Sequence, residues 1–317
     1  MHMGMIHLLL LHVWLCGLGA AESPAAHLND IYHFPNGTWL ENIAIRTNGN
    51  VLVTAYNKAQ LWEIDPFCKN NSKCGHLLHQ FDRPGTITGI TELQKDDVFA
   101  VIASNSLWRV DTSGPQSLVN PIDISIPAGN LNGIATLDEA GQILAVSDSL
   151  LGLIWRVDLA RGNYSILLRD NTTATSTATG TRSGVNGVRV LGNLLYYVNT
   201  PQRTFYGVHL NPDHEVSDQP STIFQGALAD DFAITHNAAF LAGLRDNVIT
   251  EDLFDGRARI VAGNATSRSV MTATSAAFGR TPWDKNILYI TTGGETQHPV
   301  NSTGNFGGKV VALEIRA

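Results

Sequence analysis

The segment LNGIATLDEAGQILAVSDSLLGLIWRVD, residues 131–158, carries the pattern that decides the fold. A polar residue, Asn132, opens a short apolar run, a turn follows, and a second apolar run begins at Ile143. A third run closes the unit at Asp158. Short apolar runs separated by turn residues are typical of antiparallel strands, so this segment predicts a β-meander.

Units of this kind recur along the chain at intervals of roughly 44 to 54 residues. The polar residues that open them are Glu41, Thr88, Asn132, Asn186, Asp231 and Ser275. One such unit cannot bury both of its faces, and repeats of this length are typical of β-propeller blades, which stack on their neighbours. We therefore expect an all-β, six-bladed β-propeller in which the opening residues mark one end of the central channel.

The repeat fills the chain from about residue 30 onward, so we expect residues 22–317 to form a single propeller domain. Residues 27–34 precede the first unit and have strand character. Propeller rings close by pairing strands from the two termini, because closure removes unpaired sheet edges. We expect residues 27–34 to join the last blade. Residues 171–184 and 293–308, rich in Gly, Ser or Thr, are predicted to be an exposed loop and a loop over a channel mouth, respectively.

Composition excludes one class of partner. The chain of 317 residues has 28 acidic and 21 basic residues, a net charge of −7, and no Lys/Arg cluster. Nucleic-acid surfaces are positively charged, so we expect no nucleic-acid partner. The hydrophobic content of 44% is enough for a sizeable core. After the first 21 residues no segment is predicted to span a membrane.

Residues 1–21 are predicted to be a signal peptide, because a short apolar run from Ile6 ends in small residues. The mature chain then keeps Cys68 and Cys74, which we expect to pair in an oxidising lumen; two free thiols are the alternative. The chain also contains several N-x-S/T glycosylation sequons, which agree with a secreted protein or one in the lumen of the secretory pathway. Their acceptors are Asn36, Asn70, Asn163, Asn171, Asn264 and Asn301.

The opening residues predict a polar site at one channel mouth. Among them, Glu41 and Asp231 bring carboxylates, while Asn132 and Asn186 bring amides. Oxygen ligands of this kind suit a hard divalent cation such as Ca²⁺ or Mg²⁺, and no organic cofactor is expected. The alternative is that Asn and Asp stand at strand starts because they favour turns.

Five segments resemble, in order, blades of the gluconolactonase and senescence-marker-protein (regucalcin-like) propellers. They are WLENIAI (39–45), LNGIATLDEAGQILAVSD (131–148), VNGVRVLGNLLYYVNT (185–200), DDFAITHNAAFLAG (230–243) and TSAAFGRTPWDKNILYITTGG (274–294). The resemblance covers about residues 38–315. It implies that Glu41, Asn186 and Asp231 match divalent-metal ligands and that Asn132 lies beside metal and substrate. Family lactonases often carry Arg where this chain has Asn130.

The segment FPNGTWLEN (34–42) and the secretory layout resemble a fungal subgroup of these propellers. That subgroup includes hetero-Diels–Alderases, which couple a tropolone-derived o-quinone methide to a humulene-type terpene. The resemblance therefore implies a pericyclic cyclase with polyketide and terpene substrates. A metal-dependent lactone hydrolase and a non-catalytic small-molecule-binding propeller are the alternatives, since fold does not determine function.

For both cycloaddition and lactone hydrolysis, we expect residues at the predicted channel mouth to take part. Glu41, Asp231 and His298 are the candidate catalytic residues, as bases or hydrogen-bond donors. The candidate substrate-binding residues are mostly aromatic: Trp39, Asn132, Tyr206, Trp283 and Phe306. The sequence has no G-x-S-x-G, H-E-x-x-H or P-loop motif that would indicate another chemistry.

Overall fold

The computed structural model describes residues 28–69, 73–82, 85–93, 96–295 and 306–315. The 24 strands of these residues form six antiparallel sheets of four strands each. The inner strand of every sheet contacts the inner strands of both neighbouring sheets, which closes a ring. The predicted six-bladed β-propeller is therefore confirmed.

The first three blades follow the chain from the inner to the outer strand. Blade one contains β2 (Leu40–Ile45), β3 (Val51–Ala55), β4 (Gln60–Ile64) and β5 (Gly75–Gln80). Blade two contains β6 (Ile87–Glu92), β7 (Val98–Ala103), β8 (Ser106–Asp111) and β9 (Leu118–Pro121). Blade three contains β10 (Leu131–Thr136), β11 (Ile143–Asp148), β12 (Leu153–Asp158) and β13 (Asn163–Leu168). A short 3-10 turn, Tyr56–Lys58, follows β3.

Blades four and five repeat this order, whereas blade six takes its outer strand from the other end of the chain. Blade four contains β14 (Val185–Leu191), β15 (Leu194–Asn199), β16 (Thr204–His209) and β17 (Ser221–Gln225). Blade five contains β18 (Ala229–Ile234), β19 (Ala239–Gly243), β20 (Val248–Asp252) and β21 (Ala258–Gly263). Blade six contains β22 (Ala273–Phe278), β23 (Ile287–Thr292), β24 (Lys309–Glu314) and β1 (Leu28–His33).

Strand β1 closes the ring as expected. It pairs antiparallel with β24, from Leu28 opposite Leu313 to His33 opposite Lys309. The Lys309 ammonium also lies 2.8 Å from the Asp30 carboxylate. The first strand thereby covers the edge that β24 would otherwise leave unpaired.

The core lies between the blades and not within any one of them. The second strand of each blade is almost wholly buried, as in β3 and β7, whereas outer strands such as β9 are largely exposed. Apolar side chains from neighbouring blades meet in six buried clusters around the ring. This arrangement explains why each unit carries one continuous apolar run flanked by alternating ones.

The Cys68–Cys74 disulfide is present, with 5.4 Å between the two Cα atoms. Four sequon residues are exposed, namely Asn36, Asn163, Asn171 and Asn264, so glycosylation stays a prediction with accessible acceptors. Asn70, Asn301 and the predicted signal peptide lie outside the described residues. Among the described residues no helix has the length and apolar character needed to cross a membrane.

The segment 171–184 is a loop, mostly exposed or half-buried as expected, and side-chain hydrogen bonds fix its first residues. The Asn199 amide donates hydrogen bonds to the Thr172 and Ala174 carbonyl oxygens. Thr173 is buried, and its hydroxyl donates to the Gly152 carbonyl oxygen. Short polar side chains thus satisfy the backbone of this segment in place of apolar packing.

Candidate functional site

Strand register decides which polar residues share a level in the channel. Near its start, five of the six inner strands carry a β-bulge over the same positions, and the sixth carries one a residue shorter. The first residues of the inner strands are therefore equivalent, and the second residues form one ring. We call this ring the polar ring, and it consists of Glu41, Thr88, Asn132, Asn186, Asp230 and Thr274.

This register corrects the alignment of two units. Asp231 and Ser275 stand one position later than Glu41 and Asn186, and the residues equivalent to them are Asp230 and Thr274. Because the bulge redirects the side chains within it, a shift of one position there gives a side chain different neighbours.

Glu41 lies in the ring at the start of blade one and is 8% exposed. The Trp39 indole N–H donates a hydrogen bond of 2.6 Å to its carboxylate. Burial raises the pKa of Glu41 to about 7; the Trp39 hydrogen bond opposes this rise, and the Asp231 charge adds to it. Glu41 is therefore a carboxyl group that can serve as an acid or as an anion near neutral pH.

Asp230, which the sequence analysis did not single out, is the second carboxyl group of the ring and is 6% exposed. Burial, followed by the charges of Glu41 and Asp231, raises its pKa well above the ordinary range. The Asn186 amide donates one hydrogen bond to Asp230 and a second, 3.1 Å long, to the Thr200 hydroxyl. Both N–H groups of the Asn186 side-chain amide thus form hydrogen bonds within the protein. Its side-chain oxygen is the atom that can bind a ligand.

Tyr56 adds a hydroxyl donor beside the two carboxyl groups. It follows β3 in the 3-10 turn, on the side of blade one where Glu41 lies. Burial, then the charges of Glu41 and Asp230, raises the pKa of Tyr56. The phenol therefore stays protonated and can donate a hydrogen bond to an oxygen of a ligand.

Asp231 points into a different network, one step further along the channel. Its carboxylate lies 2.6 Å from the Arg189 guanidinium. The same oxygen accepts hydrogen bonds from the Asn42 amide at 3.0 Å and the Ser275 hydroxyl at 2.9 Å. Its second oxygen accepts the backbone N–H of Phe232. Asp231 is thus already neutralised by a cation of the protein itself.

These environments bear on the expected divalent cation. No cluster of three or more His, Cys, Asp and Glu residues suited to a metal occurs in the described part of the chain. The donor set of Glu41, Asp230 and the side-chain oxygen of Asn186 nevertheless fits a hard cation, since it offers two carboxylates, neither of which forms an ion pair with another described residue. Asp231 is a poor candidate for a metal ligand, because its carboxylate already forms an ion pair with Arg189.

Asn132 lies in the same ring and is half-buried. The backbone before it is held by Asp148, whose carboxylate accepts the N–H groups of Gly129 and Asn130 at 2.7 and 2.9 Å. Asn130, which stands where family lactonases often carry Arg, is thereby fixed at the mouth of blade three with a neutral side chain.

The predicted aromatic contacts are not gathered in one place. Tyr206 packs in the core between blades three and four, stacked on Tyr197 at 5.3 Å between ring centroids. Trp283 is 84% exposed and lies in the turn between β22 and β23, at the opposite end of the channel. Phe306 is 46% exposed under the Arg268 guanidinium. His298 lies outside the described residues.

A cavity opens at that opposite end. It has a volume of about 250 Å³ and is lined by residues of five inner strands, most of them apolar. Its walls include Ile43, Ile90, Ile234 and Phe278, and Arg189 reaches it from blade four.

The residues that sequence reasoning missed are Asp230, Arg189 and Asn42. Asp230 could have been found from the sequence, by the spacing between each polar residue and the apolar residue that follows it. In blades one to four the polar residue stands two before an aliphatic residue, as in Asn186 and Val188, and Phe232 stands two after Asp230. For Arg189 and Asn42 no signal exists, because their roles depend on which blades face each other.

Comparison with known proteins identifies two related sequences. No protein-family model matches the chain. The chain is 27% identical to a Phoma sp protein named "Putative hetero-Diels-Alderase" over 303 residues, covering 82% of the chain and 85% of that protein. It is 26% identical to "Putative hetero-Diels-Alderase asR5" of Sarocladium schorii over 310 residues, covering 82% and 77%, respectively.

Solved structures share the fold. A luciferin-regenerating enzyme superposes with a TM-score of 0.67 at 14% identity, over 92% of this chain and 98% of that one. The calcium-binding protein regucalcin of Agrobacterium tumefaciens superposes with a TM-score of 0.59 at 12% identity, over 91% and 97%. The chain therefore resembles the regucalcin-like propellers in fold and the proteins named as hetero-Diels–Alderases in sequence, as its blade motifs predicted.

Proposed function

We propose that this protein catalyses a hetero-Diels–Alder reaction between a polyketide-derived o-quinone methide and an alkene of a humulene-type terpene. The observation that carries the proposal is the similarity, over 82% of the chain, to two proteins named "Putative hetero-Diels-Alderase", names that give the reaction class and no substrates. Asn130, in place of an arginine that would bind a sugar-acid carboxylate, further favours apolar substrates over anionic lactones.

The reaction needs no nucleophile and no redox group. The carbonyl oxygen of the quinone methide bonds to one alkene carbon while its exocyclic carbon bonds to the other, so that a dihydropyran ring forms and no atom leaves. A protein accelerates such a step by holding the two partners in contact and by donating a hydrogen bond to the carbonyl oxygen, where negative charge develops.

The polar ring offers such donors at the mouth. In the proposed reaction the Tyr56 hydroxyl and the protonated form of Glu41 or Asp230 donate to the carbonyl oxygen of the heterodiene. Trp39, buried against Glu41, orients that carboxyl group. A donor fixed in a buried site costs no reorganisation during the reaction, which is why its effect exceeds that of water.

The test is a direct assay. Purified protein is incubated with a precursor that releases the quinone methide, together with humulene, and cycloadducts are separated by chiral chromatography. We expect faster formation of one stereoisomer than in buffer, and a slower rate for Tyr56→Phe. Tyr164→Phe is the matched control, because Tyr164 is exposed on the outer strand β13. A wild-type yield and stereochemistry equal to the buffer background would reject the function.

A second candidate function is lactone hydrolysis, favoured by the fit of Glu41, Asp230 and Asn186 to a divalent cation. These three residues would hold the ion, which when bound would polarise a lactone carbonyl and activate water. A panel of lactones, with and without a chelator, tests this candidate. Turnover that chelation and Asp230→Asn both abolish, without any effect of the protein on cycloadduct formation, would favour the hydrolase.

We also propose that the protein is a glycoprotein of the secretory pathway. The Cys68–Cys74 disulfide and the exposed sequon residues support this placement, since disulfides persist in oxidising compartments. Intact mass before and after deglycosylation and reduction tests it. A mature chain without glycans and with two free thiols would contradict it.

A further inference from the structure

Four side chains meet across the channel immediately beyond the polar ring, and together they form what we call the channel plug. They come from four different blades: Asn42 from blade one, Arg189 from blade four, Asp231 from blade five and Ser275 from blade six. The Arg189 guanidinium lies 2.6 Å from the Asp231 carboxylate and donates a hydrogen bond of 3.4 Å to the Ser275 hydroxyl. The Ser275 hydroxyl lies 3.4 Å from the side-chain amide oxygen of Asn42. The network therefore spans the channel from blade to blade.

At the same level of the channel, the inner strands of blades two and three carry glycine and pack closely against the next blade. A Cβ on Gly89 would lie 2.4 Å from the backbone carbonyl oxygen of Asn132, and one on Gly133 would lie 2.6 Å from the backbone carbonyl oxygen of Asn186. Such distances are shorter than real side-chain contacts, so neighbouring inner strands touch here backbone to backbone. Water therefore has no path between these neighbouring strands.

Burial indicates that the plug is dry. Asn42, Asp231 and Ser275 are 2%, 3% and 0% exposed, although they belong to strands that line a channel. Arg189 is 19% exposed in its side chain and borders the cavity of about 250 Å³ at the far end. Solvent therefore reaches Arg189 from that cavity, whereas the other three plug residues are shielded from it.

We propose that the channel plug prevents water from reaching the reaction site through the channel, and that Arg189 is the residue that determines this selectivity by its bulk. The inference rests on the proposed cycloaddition. An o-quinone methide is consumed by water as well as by an alkene. Water adds its oxygen to the exocyclic carbon and a proton to the carbonyl oxygen, which gives a benzylic alcohol without oxidation or reduction. A site open at both ends would lose substrate to this addition.

The experiment compares variants that differ in bulk at one position. Arg189→Ala and Arg189→Met both remove the guanidinium and leave Asp231 without its cation, but only Arg189→Ala opens the channel. We expect the ratio of benzylic alcohol to cycloadduct to rise several-fold in Arg189→Ala and to stay near the wild-type value in Arg189→Met. Thr91→Ala, which widens the far cavity without touching the plug, should also match the wild type.

A second measurement needs no substrate. The backbone N–H of Asn42 bonds to the Thr54 hydroxyl at 2.8 Å, and that of Phe232 to Asp231. We expect hydrogen exchange of these two amides to accelerate in Arg189→Ala and not in Arg189→Met. If the Arg189 variants fail to fold, Asn42→Ala opens the plug from blade one and should raise the alcohol ratio in the same way.

The outcomes separate the two proposals. A wild-type protein that does not accelerate cycloaddition rejects the proposed function, whatever the exchange data show. A wild-type protein that does so, with equal alcohol ratios in Arg189→Ala and Arg189→Met, overturns the plug. Unchanged amide exchange in every opened variant would overturn it as well.

Discussion

Asp230 and Asp231 are neighbours in the chain with opposite surroundings. Asp230 faces Glu41 in the polar ring, where burial and like charge favour the protonated form. Asp231 faces Arg189, Asn42 and Ser275, all of which bond to its carboxylate. The bulge that contains both residues directs their side chains to different neighbours, so a pair of identical residues supplies one group for the site and one for the channel plug.

Substitution of the two aspartates should therefore have different effects on stability. Asp231→Asn breaks a buried ion pair, and we expect a loss of about 2–3 kcal/mol in the free energy of unfolding, towards the low end for such pairs because Arg189 is partly exposed. Asp230→Asn replaces a carboxyl group whose burial disfavours folding with an uncharged group of the same shape, so we expect no loss of stability. Urea denaturation in the presence of a chelator measures both; equal losses would contradict the register.

Among the elements, the inner strands are the most tightly constrained. In blades two to four the third residue of the inner strand is glycine, and the next blade lies against it. Neighbouring blades therefore approach at their inner ends by backbone contact and further out by apolar side chains, as in the cluster between blades two and three.

Gly133→Ala tests this backbone contact. Its Cβ would lie 2.6 Å from the Asn186 carbonyl oxygen and 2.9 Å from the Val188 nitrogen, so the strands must separate. We expect a cost of about 1–3 kcal/mol in the free energy of unfolding. Gly114→Ala is the matched control, since its nearest neighbour would be 3.7 Å away. Thermal and urea unfolding measure the stability of both variants. Equal stability of Gly133→Ala and Gly114→Ala would argue against close packing of the inner strands.

The turns at the far end also connect blades. Asp97, in the turn after β6, accepts the Thr47 backbone N–H and hydroxyl, both at 2.8 Å, and pairs with Arg46 at 3.3 Å. Burial opposes ionisation of Asp97, but the Thr47 hydrogen bonds and the Arg46 charge outweigh it and lower its pKa. Blades one and two are thus held together at this end by a carboxylate.

This contact predicts acid sensitivity. Because the pKa of Asp97 is lower in the folded than in the unfolded protein, its stabilisation is present above the unfolded value of about 4 and is lost as the pH falls through the folded value. Asp97→Asn, which also tolerates the positive φ of 61° here, should be less stable than wild type at neutral pH. We expect the difference in melting temperature to shrink towards acidic pH; a constant difference would refute the linkage.

At the scale of the whole molecule, stability depends on ring closure by β1. Without this strand, β24 presents an unpaired edge and the last core clusters lose their cover. We expect a chain that begins at residue 34 to melt at a lower temperature than one that begins at residue 22, and to self-associate. Size-exclusion chromatography with light scattering measures the second effect. A monomer of unchanged stability would show that β24 does not need its partner.

Much of this architecture was predictable from local patterns. The spacing of apolar runs in segments such as residues 131–158 specifies strands and turns, and a period near that of a propeller blade specifies how many blades must stack. Closure by residues 28–33 and the Cys68–Cys74 pair could be predicted as well, because a free edge and a free thiol pair in an oxidising compartment are both unfavourable.

The composition of the site depended on the tertiary structure. The sequence placed Glu41, Asn132 and Asn186 at equivalent positions, but the pair Asp230–Asp231 offered two registers, and only strand pairing around the bulge assigns Asp230 to the ring. The sequence alone determined which residues begin inner strands. Which of them face a cation, another carboxylate or the channel was decided by blades that are far apart in the chain and adjacent in the ring, because electrostatic and packing interactions follow distance in space and not in sequence.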